Sequence, residues 1–540
     1  MLSLLNFRIA AWSLGVCFMT SMSANAGLLP ERVEKAAQER IAAGTYQTLV
    51  FGVVEGDKSE VVTFGKLDDG RTPDGDTVYE LASVTKTITG TLLAQAVLSG
   101  RVTFETPVAQ LLPDFKIPSR GGKEITLGDL ATHRSGLPRE ASGDYRAATL
   151  KAFLAAYKLP RNPGAAYEYS NLGCALLGYA LAQLEHTTYD ALTDKEILKP
   201  LSMTMSGAVL TEVLRSHLAP GHDYTGNAAN KLDVDALVGA GAIRSTANDM
   251  LRYLKANMGI DPSPLAAAMK LAQQPRRDMG NAMRVGLAWV TTAKGIVWHN
   301  GMNEGHRSFL GFTADGRRGV VILANTAVDA DDLGFATLDG DAPLAPAYKA
   351  IVLPGASLDD YVGTYKLADK FLLNVFRMND GLFARATGQD AIPIFPSAPN
   401  EFFAKAVQAS VSFTRDPNGV VNGLVLHQNG DRAAPKLNAS ELPPELGEIA
   451  LDAATLGDYV GKYRFDFGAV FDVALKSDHL EAQLTGQAAF PIFASSKDKF
   501  FYKVVDARLD FERDAGGKVV VVVLHQNGLD MRAPRITTQQ

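Results

Sequence analysis

A block near the C-terminus occurs twice at a fixed spacing, and this limits what the chain can fold into more than any other feature. Tyr361-Val362-Gly363-Thr364-Tyr365 returns as Tyr459-Val460-Gly461-Lys462-Tyr463, a shift of 98 residues. At the same shift Thr387-Gly388-Gln389 becomes Thr485-Gly486-Gln487, Pro393-Ile394-Phe395 becomes Pro491-Ile492-Phe493, and Leu426-His427-Gln428-Asn429-Gly430 becomes Leu524-His525-Gln526-Asn527-Gly528. A constant offset over all these landmarks makes residues 355–441 and 453–540 two copies of one folding unit. Both alternate short apolar runs with Gly, Asn and Asp turns, which predicts small antiparallel β-barrels. Linkers fall at Leu353-Pro354-Gly355 and Leu442-Pro443-Pro444. The repeated His427 and His525 lack companion metal ligands, and equal positions in two barrels point to equal structural jobs.

The rest of the chain is a separate matter, since 540 residues exceed one ordinary core. With 46% hydrophobic and 21% charged residues it reads as globular rather than disordered. Arg8 is the one charged residue ahead of residue 27, so the remainder carries 52 basic against 59 acidic groups, or −7. That balance argues against nucleic acid or an anionic membrane surface as partner. Residues 1–26 hold Arg8, an apolar run from Ile9 to Phe18, and Ser23-Ala24-Asn25-Ala26. This is the pattern of a secretory signal peptide cleaved after about Ala26, and the run is too short for a permanent membrane anchor. A periplasmic or secreted protein is therefore expected. After cleavage Cys174 is the one remaining cysteine, so no internal disulfide can form. It lies in an apolar helical stretch and reads as a small buried hydrophobe.

Residues 30–41 read as a helix, and 48–56 and 60–66 as two strands of a hairpin. From 140 to 285 helical patterns dominate. Strand-like runs follow at Gly286 to Val290, Gly295 to His299, Arg307 to Thr313 and Gly319 to Ala324. Strands at both ends of 27–352 can join in one antiparallel sheet with helices packed on it, an α+β arrangement.

Within this domain Leu81-Ala82-Ser83-Val84-Thr85-Lys86-Thr87 opens a helix. Ser83 and Lys86 are three apart and share one helical face, so a hydroxyl sits beside an ammonium. On its own this is equally a serine helix cap. A serine that attacks a carbonyl needs a proton acceptor and an oxyanion site, and two further motifs carry suitable groups: Tyr169-Ser170-Asn171 ahead of an apolar helix, and Trp298-His299-Asn300-Gly301-Met302 at a strand end.

Ser83-x-x-Lys86, Tyr169-x-Asn171 and His299-x-Gly301, in that order, resemble the three motifs of the penicillin-recognising serine hydrolases: class C β-lactamases, DD-carboxypeptidases, D-aminopeptidases and related esterases. Asp129 to Pro138 and Gly241 to Met250 resemble two further markers of that family. The resemblance covers roughly residues 30–350. It implies a β-lactamase-like catalytic domain at 27–352 with Ser83 as acylated nucleophile, Lys86 assisting it and Tyr169 exchanging its proton. A tyrosine of ordinary pKa near 10 is a poor base, and the flanking ammonium is the physical reason it could serve. Asn171 would bind a substrate amide, and the backbone N–H groups of Ser83 and Met302 would form the oxyanion hole.

The lactamases of the family usually carry Lys-Thr-Gly or Lys-Ser-Gly where this chain has His299-Asn300-Gly301. Histidine anchors a carboxylate less firmly than lysine. Arg307 is read as supplying charge at the same mouth, and His299, Asn300, Gly301 and Met302 as lining it. Two lipocalin-like barrels after the catalytic domain resemble the three-domain D-aminopeptidases, and the linearised-microcystin hydrolases are another similar group. The resulting expectation is an exported serine hydrolase that cleaves amide bonds of short or unusual peptides through an acyl-enzyme, in the manner of a D-aminopeptidase. The alternatives are a carboxylesterase, or a β-lactamase or penicillin-binding DD-peptidase. No cofactor or metal is called for; the partner is a peptide, amide, ester or β-lactam substrate, and monomer and homo-oligomer both stay open.

Overall fold

The computed structural model describes residues 27–140, 147–229, 238–280 and 282–536, the last span with gaps at 370, 379, 388, 390, 429, 443–447, 466–468, 477–478, 485–488, 506 and 527–528. The expected signal peptide and the repeat landmarks at Gly388, Asn429, Thr485 to Gln487 and Asn527 to Gly528 lie outside the described residues.

The two ends of the first 350 residues meet in one antiparallel sheet. Its strands are β1 (Thr48–Glu55), β2 (Lys58–Gly65), β3 (Arg277–Gly280), β4 (Met283–Val285), β5 (Val290–Thr291), β6 (Val297–Met302), β7 (Arg307–Phe312) and β8 (Arg318–Ala324), in the spatial order β2-β1-β8-β7-β6-β5-β4-β3. β1 runs against β8 from Leu49 opposite Ala324 to Glu55 opposite Arg318. Every residue of β1 but the last is buried, because helices cover both faces. Helices α1 (Glu31–Ala42) and α6 (Asp331–Leu338) pack on one side and α5 (Ala247–Met258) on the other.

Two expectations need correction. Arg277–Gly280 and Met283–Val285 pair as the β3–β4 hairpin rather than helix; β3 is mostly exposed at the sheet edge and carries no apolar alternation to reveal it. Gly286 to Trp289 is a bend rather than a strand, with Ala288 in the left-handed region at φ 66° and Trp289 fully buried.

Helix α2 (Thr85–Leu98) runs through the interior, buried on all sides from Thr85 to Ala94. Its threonine hydroxyls stay satisfied: Thr89 donates to Gly239 O at 2.7 Å, Thr87 to Val84 O at 2.8 Å, and Thr85 accepts from Ile243 N at 3.1 Å. Helices α3 (Leu127–Ala131) and α4 (Asn171–Leu184) belong to the helical half.

Each repeat is an eight-stranded antiparallel meander, Gly363–Ala368 to Asp431–Pro435 and Gly461–Arg464 to Leu529–Pro534. Single bridges, Tyr365 to Lys436 and Tyr463 to Arg535, bring first and last strands together into near-closed barrels. The copies share their internal anchors. Tyr365 OH donates to Tyr361 O and Tyr463 OH to Tyr459 O, both at 2.7 Å, and Arg415 and Arg513 each hold a turn through Asn400 and Asp498 at 2.8 Å. The repeated histidines pair with Asp431 and Asp530 at 2.7 Å. The catalytic domain touches the first barrel through Asp329 N donating to Lys405 O at 2.9 Å, and the barrels touch through Ala391 N donating to Val504 O at 3.2 Å. Among the described residues no helix is long and apolar enough to cross a membrane.

Candidate active site

Ser83 stands in a single 3-10 turn, Ala82–Val84, that feeds α2, and Ala82 is held at φ 44°, a costly conformation for a residue with a side chain. Ser83 is not a helix cap, since α2 has no side-chain cap at its start. Its Oγ instead lies 2.8 Å from Lys86 Nζ and 2.8 Å from the Tyr169 hydroxyl. Lys86 is 1% exposed and also donates to Ala240 O at 2.7 Å. Its ammonium is 5.1 Å from the Tyr169 ring centroid. A buried cation with two fixed acceptors is oriented rather than mobile.

Tyr169 reaches the serine because the next residue starts a helix. Ser170 is the N-cap of α4: its Oγ accepts from Gly173 N at 2.9 Å and donates to Pro138 O at 2.6 Å. His133 stacks on Tyr169 with ring centroids 4.5 Å apart and accepts from Ser170 N at 3.1 Å. Burial, together with the positive charge of Lys86, holds the His133 imidazole well below its ordinary pKa. The stretch Asp129 to Pro138 is thus a support for the tyrosine. Gly241 to Met250 supports the other side: Arg244 pairs with Glu80, whose other oxygen accepts from Asn303 at 2.5 Å beyond the end of β6.

β6 passes close behind the serine. A Cβ on Gly301 would lie 2.1 Å from Leu81 O and 2.9 Å from Ser83 N, so glycine alone permits this approach. Ser308 Oγ on β7 donates to Leu81 O at 2.7 Å and ties the sheet to the turn.

Strand alternation sorts the remaining expected residues. His299 and Gly301 face α2, whereas Asn300 and Arg307 face α6. Asn300 donates to Asp331 at 2.5 Å, and Arg307 is buried between Asp329 and Asp331. Burial and the neighbouring Asp329 push the Asp331 carboxyl upward, against the pull of Arg307. Asn300 and Arg307 therefore belong to an ion-pair cluster behind the sheet, and the expectation that they line the mouth is corrected. His299 is 4% exposed, binds Asn300 O through Nδ1 at 2.5 Å, and is pushed down to about 3 by burial and Lys86. It is a neutral ring packed near Lys86 and Tyr169, not part of the cavity wall.

The cavity itself measures about 700 Å³. Ser83, Asn171 and Met302 line it, together with Tyr224, Asn303 and, from the first barrel, Ala391 to Pro393 and Ala406. The barrel thus closes one wall of the site. Asn171 donates to Glu140 while its Oδ1 is buried without a partner among the described residues. Arg139, unremarked in the sequence reading, lines the cavity with its guanidinium 5.2 Å from the Tyr169 ring centroid. The clue was its place directly after Pro138. Among the described lining residues it is the one cation, facing Glu140, Asp223 and Glu304.

A serine between a buried lysine and a tyrosine, beside such a cavity, is the arrangement expected of a serine hydrolase, and comparison with known proteins gives the family. The β-lactamase family profile matches residues 33–341, more than half of the chain, and the chain belongs to that family. A domain of unknown function, DUF3471, matches 347–442 and 447–537. The chain is similar to the D-alanyl-D-alanine-carboxypeptidase/endopeptidase AmpH of Escherichia coli, 28% identical over 289 residues, covering 48% of this chain and 74% of that protein. In fold it is similar to the D-alanine carboxypeptidase AmpC of Burkholderia cenocepacia (22% identity, TM-score 0.51, 57% of this chain and 98% of that one). The class C β-lactamase of Rhodobacter sphaeroides stands alike, at 22% identity and TM-score 0.51, over 57% of this chain and 97% of that one.

Proposed function

We propose that this protein is a serine peptidase of the DD-peptidase type, acting outside the cytoplasm on short peptides through an acyl-enzyme at Ser83. The observation that carries the reading is the single hydroxyl held 2.8 Å from both a buried ammonium and a phenol, at the wall of a cavity. In this reading Tyr169, as the phenolate, takes the Ser83 proton as Oγ attacks the carbonyl, and the Lys86 ammonium stabilises the negative charge that develops nearby. The tetrahedral oxyanion lies between the backbone N–H groups of Ser83 and Met302. Tyr169 then protonates the departing amine, and water enters by the reverse proton route. Asn171, on the cavity wall, is the side chain that would meet the substrate's amide. The signal-peptide pattern of residues 1–26 is what supports export.

A carboxylate handle, as on a peptide C-terminus or a β-lactam, finds its cation in Arg139, since His299 is neutral and out of reach. This favours the carboxypeptidase and β-lactam alternatives over the D-aminopeptidase first expected. The aminopeptidase reading keeps one supporting observation: three acidic side chains against one basic one on the cavity wall, a setting that suits a substrate amine. The test is kcat/KM over peptides ending in D-Ala-D-Ala, D-aminoacyl amides, p-nitrophenyl esters and nitrocefin. Preference for the D-Ala-D-Ala peptides supports the proposal, and preference for D-aminoacyl amides overturns it in favour of the aminopeptidase.

A further inference from the structure

A second cavity adjoins the catalytic one. It measures about 410 Å³ and sits at the mouth of the second barrel, walled by Phe471, Phe490, Tyr502 and Leu524 of that barrel and by Met378 and Phe383 of the first. Tyr224 and Ala391 line both cavities, so the two meet at that pair. At ~30 Å³ per small group, the share of one water in the liquid, there is room for roughly a dozen non-hydrogen atoms. The walls are mostly apolar, with Gln526 and the side chains of Tyr224 and Tyr502 as their polar members. The Tyr502 side chain is buried, and its hydroxyl has no hydrogen-bond partner among the described residues. A pocket of mostly apolar walls with a few polar groups is built for an apolar ligand segment.

From this geometry we infer that the second barrel is a substrate subsite, holding an extended apolar arm of a molecule whose scissile carbonyl lies at Ser83. The Tyr502 hydroxyl meets a carbonyl or ether oxygen within that arm. The duplicated barrels thereby take different jobs, the first as a wall of the catalytic cavity and the second as a receptor for the arm. The inference rests on the serine hydrolase reading of Ser83, and its test separates the two.

The experiment compares kcat/KM for acetyl, butanoyl and octanoyl p-nitrophenyl esters, and for octanoyl against acetyl peptides, in the wild-type protein, Val505→Trp and Met378→Trp. Val505 and Met378 are partly buried cavity residues from different barrels, so each plugs the pocket independently if the other variant fails to fold. The expected result is an octanoyl-to-acetyl ratio of about tenfold or more in the wild type, collapsing toward one in either plugged variant. A direct readout is calorimetric binding of octanamide to Ser83→Ala, expected to be lost in Ser83→Ala/Val505→Trp. A flat chain-length series with turnover still dependent on Ser83, or a ratio unmoved by both plugs, overturns the subsite and leaves the hydrolase reading intact. Turnover that survives Ser83→Ala overturns the hydrolase reading, while octanamide binding still reports on the pocket.

Discussion

Arg139 and Arg307 show how one residue type takes opposite roles. Arg307 is buried between two carboxylates behind the sheet, and removing it strands both charges. Arg307→Ala should cost about 3–5 kcal/mol of stability, measured by urea unfolding. Arg139 is exposed on the cavity wall, so Arg139→Gln should change stability by less than about 0.5 kcal/mol. It should lower kcat/KM for carboxylate-terminated substrates about ten- to hundredfold, the worth of one charged hydrogen bond, with neutral esters little affected. His299 makes a pH statement. Its folded pKa is near 3, so between that value and an unfolded value of about 6.5 the unfolded chain binds one more proton than the folded one. Stability then falls as the pH drops below about 6.5. His299→Gln should reduce the slope of unfolding free energy against pH by about 1.4 kcal/mol per unit between pH 6 and 4, and kcat/KM should show no limb near 6.5 that belongs to His299.

At the scale of elements, β6 and the turn before α2 form the working unit, held together by the absent side chain at Gly301. Gly301→Ala should leave a folded protein whose kcat falls about a hundredfold or more, because the strand or the nucleophile must shift by about an ångström. Steady-state kinetics beside a circular dichroism melt check this. The same element shows where the sequence was legible. Ser83, Lys86 and Tyr169 were readable because each motif carries its own local mark: a three-residue spacing, or a cap before an apolar helix. The order Trp298 to Met302 was readable as a strand, but which face each residue took was not. Strand alternation fixes that Asn300 opposes His299, yet the sequence does not say which face holds the serine, so Asn300 and Arg307 were assigned to the wrong side. Arg139 was missed for the converse reason: it has no periodic context and acquires its role from the fold around Tyr169. The β3–β4 hairpin was hidden because an exposed edge pair needs no apolar pattern.

For the whole molecule, the repeat at 98 residues makes two copies of one unit legible in the sequence, and the alternation of short apolar runs with turns makes that unit a barrel. Where the barrels dock was not legible, since the contacts of Ala391 to Pro393 with the cavity involve no residues of distinctive chemistry. Deletion of residues 355–540 should open the cavity wall built by the first barrel. If the remaining domain stays folded, discrimination among peptide lengths should weaken while small esters react at least as fast, read as the ratio of their kcat/KM values. The central claim, that Ser83 is the acylated nucleophile of this assembly, is tested most directly by intact-mass and peptide mass spectrometry after exposure to an acylating probe such as a penicillin. One adduct is expected, on the peptide containing Ser83, and Ser83→Ala should lose both the adduct and turnover while keeping its melting temperature. An adduct that persists in Ser83→Ala, or turnover that survives it, would contradict the account.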